Sequence, residues 1–382
     1  MLYCRRSQED KQMIQEQYNT ARYQRQMLLP ELGKAGQQLL QSARILMIGA
    51  GGLGCPALQY LVAAGVGQIG IVDHDIVDIT NLHRQILYKM ADIGQSKAQR
   101  AKVALQELNP DCTIEAYELQ LDNTNALNII KGYDLIIDGT DNFATRYLVN
   151  DACVLLDKPL IYGSIDRFEG QVAVFNVTGK DGQQVNYRHL FPHPPAPGEV
   201  LNCAEAGVLG ILPGIIGTLQ ASEAIKLITG IGTPLINQLF TYNALNNQTY
   251  TFQLQADKVT DAPGDEAAFR AMNYDWFCGI RQSTEIEEID HEIFQQWLYN
   301  DQVTIIDVRE QQETPVVDTF PHQQLPLSSL QDHLATIEGD TIVIFCQSGK
   351  RSLKAAQMMK ERFGSSRKIY SLRGGISSFL TR

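Results

Sequence analysis

The sequence predicts an α/β protein: a doubly wound, mainly parallel sheet followed by a smaller α/β unit. Three observations carry this. Short apolar runs, RILMIG (44–49), IGIVD (69–73) and DLIIDGT (134–140), recur with helical patterns between them at 58–64, 96–108 and 142–156. Such unbroken apolar strands are buried on both faces, as in a parallel sheet covered by helices. A second series starts near residue 285, with VTIIDVRE (303–310), TIVIFC (341–346), a helix over 351–362 and KIYSL (368–372).

Along the chain, 1–255 reads as one domain, 256–284 as a linker where periodicity fades around DAPGDE, and 285–382 as a second domain. EGQVAVFNV (169–177) is expected as a later strand on a mixed part of the sheet. A helix from about Gly217 to Thr229 and strands near 237–254 complete the first domain. GVLGILPGIIGTLQ (207–220) is apolar but interrupted by Pro213, so it reads as a buried helix with a kink or break and not as a membrane span. The polar, proline-rich passage 177–206 is long for a compact domain, which marks it as functional or mobile.

The 382 residues, 44% hydrophobic and 20% charged, suffice for two or three globular cores. A net charge of −11 opposes non-specific nucleic-acid binding, which needs cations to neutralise phosphates. The start, MLYCRRSQEDKQ, is charged before any apolar run and does not read as a signal peptide. Seven cysteines (4, 55, 112, 153, 203, 278 and 346) include no C-x-x-C pair, so a reducing cytoplasm is expected and a disulfide framework is not.

IGAGGLG follows a strand and precedes a helix, so Gly49, Gly51 and Gly54 meet the G-x-G-x-x-G pattern in its required context. Glycines admit phosphates to the backbone, and the helix start offers free N–H groups. Asp73 ends the next strand, where an acid can bond ribose hydroxyls. On these features alone an NAD-dependent redox enzyme is the default. Further residues shift the balance: Asn81, Arg84 and Gln85 in NLHRQ, Lys97 in GQSK, and Asp141 and Asn142 in GTDN. Two cations and a carboxylate at the phosphate end suit a triphosphate with Mg²⁺.

The segments RYQRQMLLPELGKAGQ (22–37), ILMIGAGGLGCPALQYLVAAGVGQIGIVDHDIVDITNLHRQ (45–85), DGTDNFATRYLVNDAC (138–153) and NCAEAGVLGILPGIIGTLQASEAIKLITG (202–230) resemble the E1-like adenylyltransferases of the MoeB/ThiF/HesA branch. That resemblance implies a Rossmann-like domain in which Gly51 and Gly52 line the phosphates of ATP and Asp73 the ribose. Arg84 and Lys97 would contact the triphosphate, and Asp141 would hold Mg²⁺ or position the ATP. Arg25 would reach into the partner subunit's site of a homodimer. The implied substrate is the C-terminal Gly-Gly carboxylate of a ubiquitin-like sulfur carrier, in molybdopterin synthesis or else in thiamine thiazole synthesis or tRNA thiolation. A noncatalytic carrier scaffold and the redox enzyme stay open as alternatives.

CQSGKRS (346–352) also sits between a strand and a helix. Loop N–H groups, the helix start, Lys350 and Arg351 favour an anion at Cys346. A C-x5-R phosphatase loop is the competing reading. IIDVRE (305–310), this loop with Gly349, and YSLRGGISSFL (370–380) resemble a rhodanese domain, although TFPHQQLPL (319–327) departs from its usual pattern. The resemblance implies that Cys346 carries sulfur as a persulfide received from a cysteine desulfurase or thiosulfate. Cys203 would be the second thiol that releases the product. Many relatives hold zinc with two C-x-x-C pairs; here Asn186, His189, Asp275 and Cys278 stand at those places, so no structural zinc is expected.

Overall fold

The computed structural model describes residues 21–194, 207–256, 262–278, 286–300, 302–310, 312–314, 316–363 and 367–380. Two compact units divide the chain at Ile280 and Arg281. The first is built on an eight-stranded sheet: β1 (Arg44–Ile48), β2 (Gln68–Val72), β3 (Thr113–Tyr117), β4 (Leu135–Asp138), β5 (Leu160–Asp166), β6 (Glu169–Phe175), β7 (Gln238–Asn243) and β8 (Gln248–Gln253). Its spatial order is β3-β2-β1-β4-β5-β6-β7-β8. The strands from β3 to β5 are parallel, and β6 to β8 add as an antiparallel meander.

Burial explains the parallel half. Ile45, Leu46, Met47, Ile69, Ile71, Ile136 and Ile137 are all fully buried, so both sheet faces need cover. The longer helices that supply it are α1 (Gly33–Ser42), α2 (Gly54–Ala64), α3 (Lys97–Leu108), α4 (Phe143–Leu155) and α5 (Ile211–Thr229). A large apolar cluster forms on each face, and a smaller one gathers Leu53, Val172, Leu212 and Ile216. α5 is long and apolar enough to cross a membrane by composition alone. It packs instead against α2, β5 and β6, burying Leu212, Ile216, Ala221 and Ala224. The break expected at Pro213 does not occur. Pro213 is the third residue of α5, within the first turn, where its missing N–H has no intrahelical acceptor to lose.

The expected linker is largely a packed part of the first unit. Helices Glu266–Ala271 and Tyr274–Phe277 place Phe269, Tyr274 and Cys278 in one of its two large apolar clusters. Their apolar residues are too few for a visible period, but a single aromatic suffices to anchor so short a helix. A buried ion pair completes the attachment. Arg188 Nε and Nη2 donate to Asp151 Oδ1 and Oδ2, both at 2.7 Å, and Tyr274 Oη donates to Asp151 Oδ2 at 2.9 Å. Tyr147 and Phe277 pack on the guanidinium.

The second unit is a five-stranded parallel sheet of β9 (Glu287–Ile289), β10 (Val303–Asp307), β11 (Gln323–Gln324), β12 (Thr341–Phe345) and β13 (Lys368–Leu372), ordered β11-β10-β12-β13-β9. The helix α6 (Lys350–Phe363) covers it, with Ala355, Ala356 and Met359 in the core.

Arg188→Met should cost about 3–5 kcal/mol in denaturant unfolding, because it strands the Asp151 carboxylate in the core. The double variant Asp151→Leu with Arg188→Met should recover part of that. A single-variant loss under about 1 kcal/mol would show that the pair does not hold this attachment.

Candidate active sites

A cleft of about 240 Å³ opens at the carboxyl ends of β1, β2 and β4. The strand order reverses between β1 and β4, where doubly wound sheets bind ligands. Gly49, Gly51, Gly52, Asp73, Asn81, Arg84, Gln85, Lys97, Asp141 and Asn142 all line it. Gly54 does not. A Cβ there would lie 2.0 Å from the Gly49 carbonyl oxygen, so its role is to let α2 start against the loop. Gly49 itself has φ +88°, which a side chain would oppose. Arg25 lies exposed on the helical segment 21–27 and is not among the lining residues of its own chain's cleft.

Asp73 organises the cleft. Its Oδ2 accepts the Ala50 N–H at 2.7 Å and its Oδ1 the Asp75 N–H at 2.9 Å, joining the glycine loop to the end of β2. Burial pushes its carboxyl pKa up, opposed by Lys97 and these two N–H groups. Lys97 is 6% exposed and its Nζ donates to Asp75 Oδ2 at 2.8 Å. Arg84 Nη1 donates to the Thr80 carbonyl at 3.0 Å, and Asn142 caps α4 by accepting the Thr145 N–H at 2.8 Å. Asp141 stands exposed at the mouth. Asn81 Oδ1 accepts the Asp78 N–H at 3.2 Å, which fixes the turn that presents Arg84 and Gln85.

Sequence reasoning missed Arg146 in this cleft. It is 7% exposed and donates from Nη2 to the Thr140 carbonyl at 2.9 Å, with its guanidinium packed on Phe143 and Tyr162. The available signal was its spacing: Arg146 lies on the buried face of α4 with Tyr147 and Asn150. Asp75, His74 and Thr140 also line the cleft unannounced.

The residues fit a nucleotide. Among the described residues Gln85 Oε1 and Arg146 Nε are buried without partners, and a Cβ on Gly51 would meet nothing nearer than Gln85 Nε2 at 3.7 Å. Gly51 therefore presents bare backbone to the open cleft. A carboxylate oxygen at the exposed Asp141 suits a hard divalent cation.

In the second unit Cys346 directly follows β12 and is fully buried. Its Sγ lies 3.7 Å from Ser352 Oγ, which donates to the Gly349 carbonyl at 2.9 Å and accepts from Ser371 Oγ at 2.9 Å. Ile376 N–H donates to the Cys346 carbonyl at 2.8 Å, so the GGI segment closes one side of the loop. Lys350 is exposed at the start of α6. Arg351, expected to serve the sulfur, is instead gripped by both oxygens of Glu313, with Nη2 to Oε2 at 2.7 Å and Nη1 to Oε1. Arg309 is buried on Asp307 and reaches Gln347 Oε1 at 3.3 Å.

Cys203 lies outside the described residues, as does Cys4. Burial pushes the Cys55 and Cys112 thiols up to about 12 and that of Cys153 well above its ordinary value, so these stay protonated. Cys278 is a core residue. At the positions weighed above for zinc, Asn186 Oδ1 accepts the Arg188 N–H at 2.9 Å, and the Asn186 N–H donates to His189 Nδ1 at 3.0 Å. Asp275 sits in the helix Tyr274–Phe277.

Two glycines should separate cradle from scaffold. Gly51→Ala should fold with an unchanged melting temperature yet bind ATP about tenfold more weakly by calorimetry, since its methyl enters only the cleft. Gly54→Ala should lose stability outright. Wild-type ATP affinity in folded Gly51→Ala would remove the loop from the binding site.

Comparison with known proteins agrees with both halves. The ThiF family model matches residues 23–263 and the Rhodanese-like domain model residues 290–382. The chain is 45% identical over 365 residues to "Probable adenylyltransferase/sulfurtransferase MoeZ" of Mycobacterium tuberculosis, covering 93% of this chain and 91% of that protein. It is 50% identical over 262 residues to the "Sulfur carrier protein adenylyltransferase" of Thermus thermophilus, covering 68% and 97%. It is 38% identical over 395 residues to "Adenylyltransferase and sulfurtransferase MOCS3" of Drosophila grimshawi, covering 98% and 86%. Among solved structures, Escherichia coli MccB shares the fold at a TM-score of 0.56 and 21% identity, over 64% of this chain and 75% of that one. The chain belongs to the ThiF family and is an adenylyltransferase carrying a C-terminal rhodanese-like sulfurtransferase domain.

Proposed function

We propose that the chain adenylates the C-terminal Gly-Gly carboxylate of a ubiquitin-like sulfur carrier and converts it to a thiocarboxylate with sulfur held on Cys346. The observation that carries this reading is the pairing, in one chain, of a cleft ringed by Arg84, Lys97 and Asp141 with a cysteine loop between a strand and a helix. A carboxylate oxygen attacks the α-phosphorus of ATP, and pyrophosphate leaves. Two anions must meet for this, so Arg84 and Lys97 offset the repulsion and hold the groups in line. Asp141 would hold Mg²⁺, which when bound neutralises phosphate charge. The outer sulfur of a Cys346 persulfide then attacks the acyl carbon and AMP departs. The resulting acyl disulfide is opened by attack of a second thiol, the role assigned to Cys203, on Cys346 Sγ.

The pathway in this reading is molybdopterin synthesis, and assays with each small Gly-Gly protein of the same cell distinguish it from thiamine thiazole synthesis and tRNA thiolation. The enzyme works as a cytoplasmic homodimer. Arg25 is exposed beside the anchored Tyr23, free to enter a partner's cleft, and Ile76, Ile79, Ile86 and Met90 are exposed on the segment that frames that cleft.

Asp141→Ala should reduce carrier-dependent pyrophosphate exchange at least about a hundredfold while sparing thiosulfate sulfurtransfer. Cys346→Ala should do the reverse and stop thiocarboxylate formation. Thiocarboxylate made at the normal rate by Cys346→Ala would mean that sulfur reaches the adenylate without the second unit.

A further inference from the structure

The loop that carries Cys346 has two cations in its sequence, and the fold neutralises one. Arg351 at the loop's end is held by Glu313 in a two-pronged ion pair, on a stretch that follows β10. The Glu310 N–H donates to Glu313 Oε1 at 2.8 Å, so the carboxylate is fixed from its own backbone as well. The hydrogen bonds from Arg351 lower the Glu313 carboxyl to about 2, and the pair stays charged at any working pH. Glu310, a second acid, stands in the field of the same guanidinium. Lys350 remains exposed.

Sulfur donors differ in charge. Thiosulfate arrives as a dianion and leaves as sulfite. An alkyl persulfide on a protein cysteine arrives with one charge and leaves as a thiolate. In either case the Cys346 thiolate attacks the outer sulfur of the donor, a new S–S bond forms at Sγ, the donor's S–S bond breaks, and its electron pair departs on sulfite or thiolate. No external oxidant or reductant is needed. A site built for the dianion needs unpaired cations at the loop, and a fixed carboxylate beside Arg351 works against it.

We propose that Glu313 is a specificity-determining residue for sulfur loading: by occupying Arg351 it disfavours small oxyanion donors such as thiosulfate and leaves the loop suited to a protein-bound cysteine persulfide. This deepens the proposed function and rests on Cys346 being the sulfur acceptor.

The test uses the full chain. Glu313→Gln keeps the size of the side chain and removes its charge; Glu313→Asp keeps the charge. With thiosulfate as donor and cyanide as acceptor, thiocyanate formation by Glu313→Gln should show a KM for thiosulfate lowered about fivefold, the scale of one exposed ion pair. Loading from a persulfidated cysteine desulfurase should change less than about twofold, and Glu313→Asp should resemble the wild type in both assays. An unchanged or raised thiosulfate KM in Glu313→Gln with an unchanged melting temperature overturns the proposal. So does a parallel change with both donors. If Glu313→Gln melts early, the comparison passes to Glu313→Lys under the same criteria. Cys346→Ala separates the two levels: sulfur loading that survives it refutes the acceptor itself, whereas its loss beside an unaltered Glu313→Gln refutes only the selectivity.

Discussion

The nucleotide cleft depends on one buried carboxylate. Asp73 draws the Ala50 and Asp75 N–H groups to its two oxygens, so the glycine loop, the end of β2 and the lysine that Asp75 holds share one frame. A carboxylate taken out of water is tolerated only when hydrogen bonds replace its hydration, and here N–H groups of the chain itself supply them. Without that bridge the loop would be tied to the sheet chiefly through the Gly49 N–H on Val72. The bases of selectivity follow from it: Gly51 is bare toward the cleft because the loop is held close, and Arg84 and Gln85 face it from the turn that Asp78 caps.

The two units solve the same problem, an anion that must react with another anion, by different means. The cleft gathers long cationic side chains: Arg84 and Arg146 are held by backbone carbonyls, with Arg146 buried beneath the Thr140 turn, and Lys97 by the Asp75 carboxylate. The sulfur loop surrounds a short thiol with backbone and hydroxyl groups, while its outer arginine is already paired. Burial keeps the Cys55, Cys112 and Cys153 thiols protonated, which sets these three apart from the cysteine of the loop.

Much of this was legible in the residues. The strands that run unbroken in Ile, Leu, Val and Met appear within a residue or two of where periodicity places them, because double burial leaves no other pattern. β3 and β5 were silent for the opposite reason: TIEAY is a half-exposed edge strand, and LIYGSID turns polar where it leaves the core. The helices at 266–277 escaped because two or three buried aromatics hold them, below what a period can reveal. In the sites, residues next to glycine or loop motifs were found. Arg146 and Glu313 were not, since each acts from another element and only the fold brings it near, Arg146 from within a helix and Glu313 from the stretch after β10, the strand beside β12.

The most direct measurement follows one labelled sulfur atom. The chain is loaded with radioactive sulfane sulfur, freed of excess donor, and mixed with a Gly-Gly-ended carrier for a single turnover. The account predicts that label leaves the enzyme and appears as one sulfur in place of one carboxylate oxygen on the carrier's last residue, only when ATP is present and in step with AMP release. Label that stays on the enzyme while AMP forms, or that moves to the carrier without ATP, would contradict it.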